Sequence, residues 1–213
     1  MGESKSRFRA SLGWEVRLVA DQEQRALAAE RLGAVGVARA RARRLALPAQ
    51  DVPILNFLLL LEHLQAAFYS EAAARARARV PAARALHGEL LQFARVVAAQ
   101  EQAHVSFLRQ QLGAHARQRP TFAFRGATSD ARQFAATALR LENLATGAYI
   151  GQGANLSRRS VGFAAGIASV EARQSGWLRD LLGLNPAPHA ADPALAPAEV
   201  LTAILRTGFV KRA

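Results

Sequence analysis

A chain of 213 residues, 51% of them hydrophobic, is long enough to bury one sizeable core and still carry extensions at its ends. It contains no cysteine, which excludes disulfides, zinc–thiolate sites, iron–sulfur clusters and thiol catalysis. Its formal charge of +12 comes from 26 Arg and 2 Lys against 16 acidic residues, but aromatics are only 7% and do not interleave with the arginines, so base stacking on nucleic acid is not expected.

Residues 1–50 mix charged and apolar residues without clear caps and read as an N-terminal extension, either helical or poorly ordered. Arg39, Arg41, Arg43 and Arg44 lie here, and Arg75, Arg77 and Arg79 form a second cluster. Every-other-residue spacing splays such side chains around a helix instead of drawing one basic stripe. The weakly apolar stretch 32–38 has Glu30 and Arg31 before it and an Arg run after it, the wrong charge order for a secretory signal. The address expected by default is therefore cytoplasmic. The longest apolar run, 52–61, is about half of the ~20 residues that a membrane-spanning helix needs, so no span is expected.

Asp51 reads as an N-cap with Pro53 in the first turn, opening a helix that runs to about residue 79. Pro81 restarts a second helix, which Gly113 ends. Residues 114–128, with Pro120 and Gly126, read as an extended connection. Ser129 or Asp130 caps a third helix ending near 151–153, and a fourth runs from 157–160 to Gly183. A Pro-rich stretch over 185–197 leads to a short C-terminal helix at about 198–206. With abundant Ala, Leu, Arg, Gln and Glu and only 15 Gly and 8 Pro, the fold class is all-α. The order of a hairpin, a long crossover and a second hairpin is that of a ferritin-like four-helix bundle. The domain plan is thus 1–50 extension, 51–183 bundle, and 184–213 Pro-rich segment with a short helix.

The second helix pair echoes the first. Leu61-Glu62-His63-Leu64 with Tyr69 recurs as Leu141-Glu142-Asn143-Leu144 with Tyr149, at an offset of 80 residues. Glu101 to Gly113 recurs as Glu171 to Gly183 at an offset of 70, with Phe107/Trp177, Leu108/Leu178, Arg109/Arg179 and Leu112/Leu182 corresponding. Helical spacing puts one Glu of each helix on its apolar face: Leu55, Leu58, Glu62, Gln65, Tyr69; Val97, Glu101, His104, Leu108; Ala135, Ala138, Glu142, Tyr149; and Ile167, Glu171, Gln174, Leu178, Leu182. Four buried carboxylates repel one another and lose hydration, a conflict that cations resolve. The ligand set suited to two iron or manganese ions in such a bundle is one Glu from each of two helices and Glu-x-x-His from each of the others. Here that selects Glu62 and Glu142 as single carboxylates, Glu101 with His104 as one pair, and Glu171 with the weaker donor Gln174 as the other. Gln65 shares the inward face and is placed to orient ligands. Tyr69 and Tyr149 follow their glutamates by two turns; core packing is the plainer expectation for them, and hydrogen bonding to ligands or electron relay the sharper one. His63 projects about 100° away from Glu62, which points to an outer role.

These motifs resemble the ferritin-like domain family that includes desiccation-related proteins. The resemblance is carried by Asp51-Val52-Pro53-Ile54-Leu55-Asn56-Phe57, Leu61 to Tyr69, Glu101-Gln102-Ala103-His104, Leu141-Glu142 and Val170-Glu171-Ala172-Arg173-Gln174 before Trp177-Leu178, over residues 51–183. It implies the bundle fold and a di-metal carboxylate centre of iron or manganese, with a role in oxidative or desiccation stress, but no defined reaction. Family members are often exported. The family pattern places His where this chain has Gln174, which implies a second metal position that is weakened, oxygen-only or empty. The alternatives are a metal-free helical stress or scaffold protein that lost a complete centre and, more weakly, a basic DNA-protecting bundle. Metal ions are the expected partners, and a homo-oligomer remains open.

Overall fold

The computed structural model describes residues 47–76 and 86–211. Most of the expected N-terminal extension, the Arg39–44 cluster, Arg77, Arg79 and the restart at Pro81 lie outside the described residues. Among the described residues there are five α-helices: α1 (Asp51–Arg75), α2 (Gly88–Leu112), α3 (Ala131–Gly153), α4 (Arg158–Leu181) and α5 (Pro197–Thr207). Among the described residues there is no strand, only an isolated antiparallel bridge between Phe122 and Val210.

α1 pairs along its length with α2, and α3 with α4; the two hairpins then meet through α1 against α3 and α2 against α4. The sequence explains this division of labour. α1 is buried on nearly every side from Leu58 to Tyr69, as a helix with apolar residues all round must be. By length and composition it would also suffice to cross a bilayer, which the continuous-run criterion missed, but most of it is covered by the rest of the fold. α2 instead buries one stripe (Phe93, Val97, Glu101, Val105, Leu108 and Leu112) at helical spacing.

Three expectations about helix ends are corrected. α1 ends at Arg75, before the expected 79. α4 ends at Leu181, and Leu182, placed by spacing on the inward face, is 41% exposed. There the chain leaves the helix through Gly183 at φ +69°, a left-handed conformation suited to glycine. Asp51 is not the N-cap of α1: Gln50 holds that position. The Asp51 carboxylate caps α4 instead, accepting from Ser157 N (2.9 Å), Ser157 Oγ (2.5 Å) and Ser160 Oγ (2.6 Å). Asp130 does cap α3, accepting from Gln133 N at 2.9 Å.

The crossover is not simply extended. It contains two 3-10 turns, Gly113–His115 and Arg125–Thr128. Asn56 of α1 pins its start, donating to His115 O (3.0 Å) and accepting from Arg117 N (2.8 Å). Phe124 anchors its end against Phe68 and Phe209. The Pro-rich segment lies on α3, where Leu195 N donates to Gly147 O at 2.9 Å. α5 buries Val200 and Ile204, and the chain then pairs with the crossover through Ala123 N to Phe209 O and Lys211 N to Thr121 O, both 2.9 Å.

Candidate metal centre

Each long helix contributes one carboxylate to the bundle interior: Glu62 from α1, Glu101 from α2, Glu142 from α3 and Glu171 from α4, each at 0% exposure. Burying a single ionised carboxylate costs several kcal/mol even after relaxation, on the order of the net stability of a domain. Four together demand compensation.

The four use their oxygens in two ways. One oxygen of each is held from outside. Tyr149 OH donates to Glu62 Oε1, Gln174 Nε2 to Glu101 Oε1 (2.8 Å), Tyr69 OH to Glu142 Oε1, and Gln65 Nε2 to Glu171 Oε2 (3.0 Å). The inner oxygens of three converge on one atom, His104 Nδ1: Glu62 Oε2 at 3.1 Å, Glu171 Oε1 at 3.3 Å and Glu101 Oε2 at 3.5 Å. One ligand atom from each of Glu62, Glu101, His104 and Glu171 lies within 4.8 Å of all the others.

Glu142 stands outside that group. Both of its oxygens are engaged, Oε1 by Tyr69 and Oε2 by Gln65 Nε2 at 3.1 Å. Gln174 turns its amide N–H groups to Glu101 and, at 3.1 Å, to Gln100 Oε1. The structure thus brings four of the six expected ligands to one point, with Glu142 and Gln174 beside it.

The tyrosines meet the plainer expectation of core packing and add hydrogen bonds to it. Both pack in the core, and both also donate to carboxylates, in a crossed pattern: Tyr69 of α1 serves Glu142 of α3, and Tyr149 of α3 serves Glu62 of α1. The duplication makes that exchange reciprocal, and the exchange requires α1 and α3 to run antiparallel. Edge-on contacts of Tyr69 with Phe93, Phe134 and Phe68 close the site on one side. Gln100 is the partner that sequence reasoning missed; an exposed Gln on a helix carries no signal.

Electrostatics follows the geometry. Burial and then the Glu62 charge push the Glu101 carboxyl up to about 8. Burial and the neighbouring carboxylates likewise raise Glu142 and Glu171. Burial by itself would lower His104, but the close carboxylates of Glu101, Glu171 and Glu62 outweigh it and bring the imidazole up to about 12. A proton on Nδ1 can nevertheless serve only one acceptor well. Glu101 Oε2 and Glu171 Oε1 lie within ion-pair distance of that nitrogen yet make no hydrogen bond. Two buried, unpartnered carboxylate oxygens beside an imidazole nitrogen are a donor set that a divalent first-row metal satisfies. The residues fit such an ion.

His63 takes no part. It is buried, its Nε2 has no hydrogen-bond partner, and burial together with Arg109 and Arg119 lowers it to about 4. His87, His115 and His189 are exposed.

No curated protein matches the chain. A ferritin-like domain pattern matches residues 50–184, the whole span of the four long helices and their carboxylates. With the two paired hairpins, the crossover and the inward glutamates, that match identifies the chain as a member of the ferritin-like domain family.

Proposed function

We propose that this protein binds iron or manganese in the bundle core, with Glu62, Glu101, His104 and Glu171 as the principal ligands and Glu142 and Gln174 serving a second, weaker position. The observation that carries this reading is the convergence of three buried carboxylate oxygens on His104 Nδ1 with two of them unpartnered. A bound ion of this type supplies one-electron redox chemistry, of which ferroxidase, peroxide removal and oxygen activation in oxidative or desiccation stress are the natural uses.

The chain's own residues have separable tasks. Gln65 and the two tyrosines hold the outer carboxylate oxygens and so fix which oxygen faces inward. The aromatic wall around Tyr69 keeps bulk water away. His104 must give up its Nδ1 proton to act as a ligand, so loading releases protons.

Metal analysis after anaerobic reconstitution of the full chain with Fe(II), and separately with Mn(II), tests the reading. At least one ion per chain is expected, lost in Glu101→Ala and Glu171→Ala and retained as a single ion in Glu142→Gln. Folded wild-type protein with no metal above background would defeat it. That result would support a metal-free scaffold, a reading favoured by Gln174 and by the ease with which protons neutralise Glu101, Glu142 and Glu171.

A further inference from the structure

Away from the carboxylates, a pocket of about 420 Å³ opens between α1, α2 and the crossover. That lies within the range of small-molecule sites, ~300–1,000 Å³. Arg109 of α2 and Arg119 of the crossover line it, with His63 and an apolar wall that includes Val105, Phe122 and Phe124. The Arg119 guanidinium lies over the Phe122 ring, 5.6 Å from its centroid. Neither arginine has a carboxylate within ion-pair distance among the described residues. Glu71 is on the same wall, and Arg75 (2.9 Å) and Thr128 (2.6 Å) both engage its Oε1.

The internal duplication shows that this side of the molecule is specialised. The counterpart of His63 is Asn143 and that of Val105 is Ser175. In the second hairpin these two satisfy each other, Ser175 Oγ donating to Asn143 Oδ1 at 2.8 Å. In the first hairpin Val105 offers no partner, and His63, only 4% exposed, lines the pocket and keeps its Nε2 unpaired. A buried polar atom without a partner is costly unless something else meets it.

We propose that this pocket binds a small organic anion, its carboxylate or phosphate head held by Arg109, Arg119 and His63 and its apolar body against Phe122 and Phe124. Two unpaired guanidiniums supply charge-assisted, planar donors for either head group. The aromatic wall favours a ring or short chain over a bare ion. This site is separate from the carboxylate cluster and does not require it to hold metal.

Calorimetric titration of the full chain with phenyl phosphate, benzoate and inorganic phosphate tests the assignment. One equivalent of phenyl phosphate or benzoate is expected to bind saturably and more tightly than inorganic phosphate; which of the two binds better identifies the head group. Arg109→Gln with Arg119→Gln should weaken binding at least tenfold, whereas Arg140→Gln with Arg173→Gln, an equal charge loss at exposed positions elsewhere, should leave it unchanged. His63→Asn with Val105→Ser, which installs the self-satisfied pair of the second hairpin, should weaken binding severalfold with no change in arginine charge. Absence of saturable binding of both ring-bearing anions would overturn the proposal. So would an equal loss in the two arginine double variants, or inorganic phosphate binding as tightly as phenyl phosphate.

Discussion

Nδ1 of His104 can carry one proton, yet three carboxylate oxygens face it within 3.5 Å. Protons and metal ions are therefore competitors for the same charge deficit, and pH should separate them. Glu101 titrates near 8 in the fold against 4.5 for the free side chain, so the folded form holds its proton longer than the unfolded chain does. Stability from this group is full below 4.5 and is lost as pH rises through 8. His104, raised from 6.5 to about 12, acts with the same sign at higher pH. Metal-free protein should accordingly melt at a lower temperature at pH 9 than at pH 5. The rise in melting temperature produced by added Mn(II) should be larger at pH 9 than at pH 5, because fewer protons must leave. Thermal melts with and without Mn(II) at the two pH values measure both effects, and a stabilisation by Mn(II) that shrinks with pH would contradict the arrangement. The inward positions of Glu62, Glu101, Glu142 and Glu171 were legible from spacing because helical period fixes the face of a residue. Which oxygen turns to which partner was not, because rotamers and the crossed tyrosine bonds depend on the neighbouring helix.

Between elements, Asp51 shows how far local pattern carries. An acidic residue just before an apolar helix reads as that helix's cap, and spacing alone has no means of seeing a second helix start 106 residues later. Burial would raise its carboxyl, but the Ser157 and Ser160 hydrogen bonds and the Arg159 charge overcome that and hold it below 3.8. It stays ionised at the N-terminus of α4, where the helix dipole favours a negative charge. This carboxylate joins the first hairpin to the second, so its loss is felt by both. Asp51→Ala should destabilise the protein by about 2–3 kcal/mol, since charged hydrogen bonds are lost, including that of the part-buried Ser157 backbone N–H. Urea denaturation reads the change. Asp51→Asn should recover part of the loss, because one amide oxygen can still accept from that N–H.

At the scale of the whole molecule, the bundle was legible because four long amphipathic or fully apolar segments with a repeated motif leave few ways to close a core. The tail was not, because Pro-rich segments carry no periodicity that says where they lie. Its docking site is nevertheless recorded in α3 as two small residues one turn apart. A Cβ on Gly147 would come within 2.6 Å of the Leu195 side chain, and one on Gly151 within 2.1 Å of the Leu195 carbonyl oxygen. A flexible side chain can retreat, but a backbone carbonyl cannot without moving the segment. Replacing glycine by alanine inside a helix normally stabilises by roughly 1 kcal/mol, and Gly162 in α4, where an added Cβ meets nothing within 4 Å, should show that gain. Gly151→Ala should have the opposite sign, a loss of about 1–3 kcal/mol from overpacking, with faster protease cleavage within 184–196 as the segment lifts from α3. Urea midpoints of the two variants, measured side by side, decide it: equal shifts in the same direction would mean that the segment does not rest on this face.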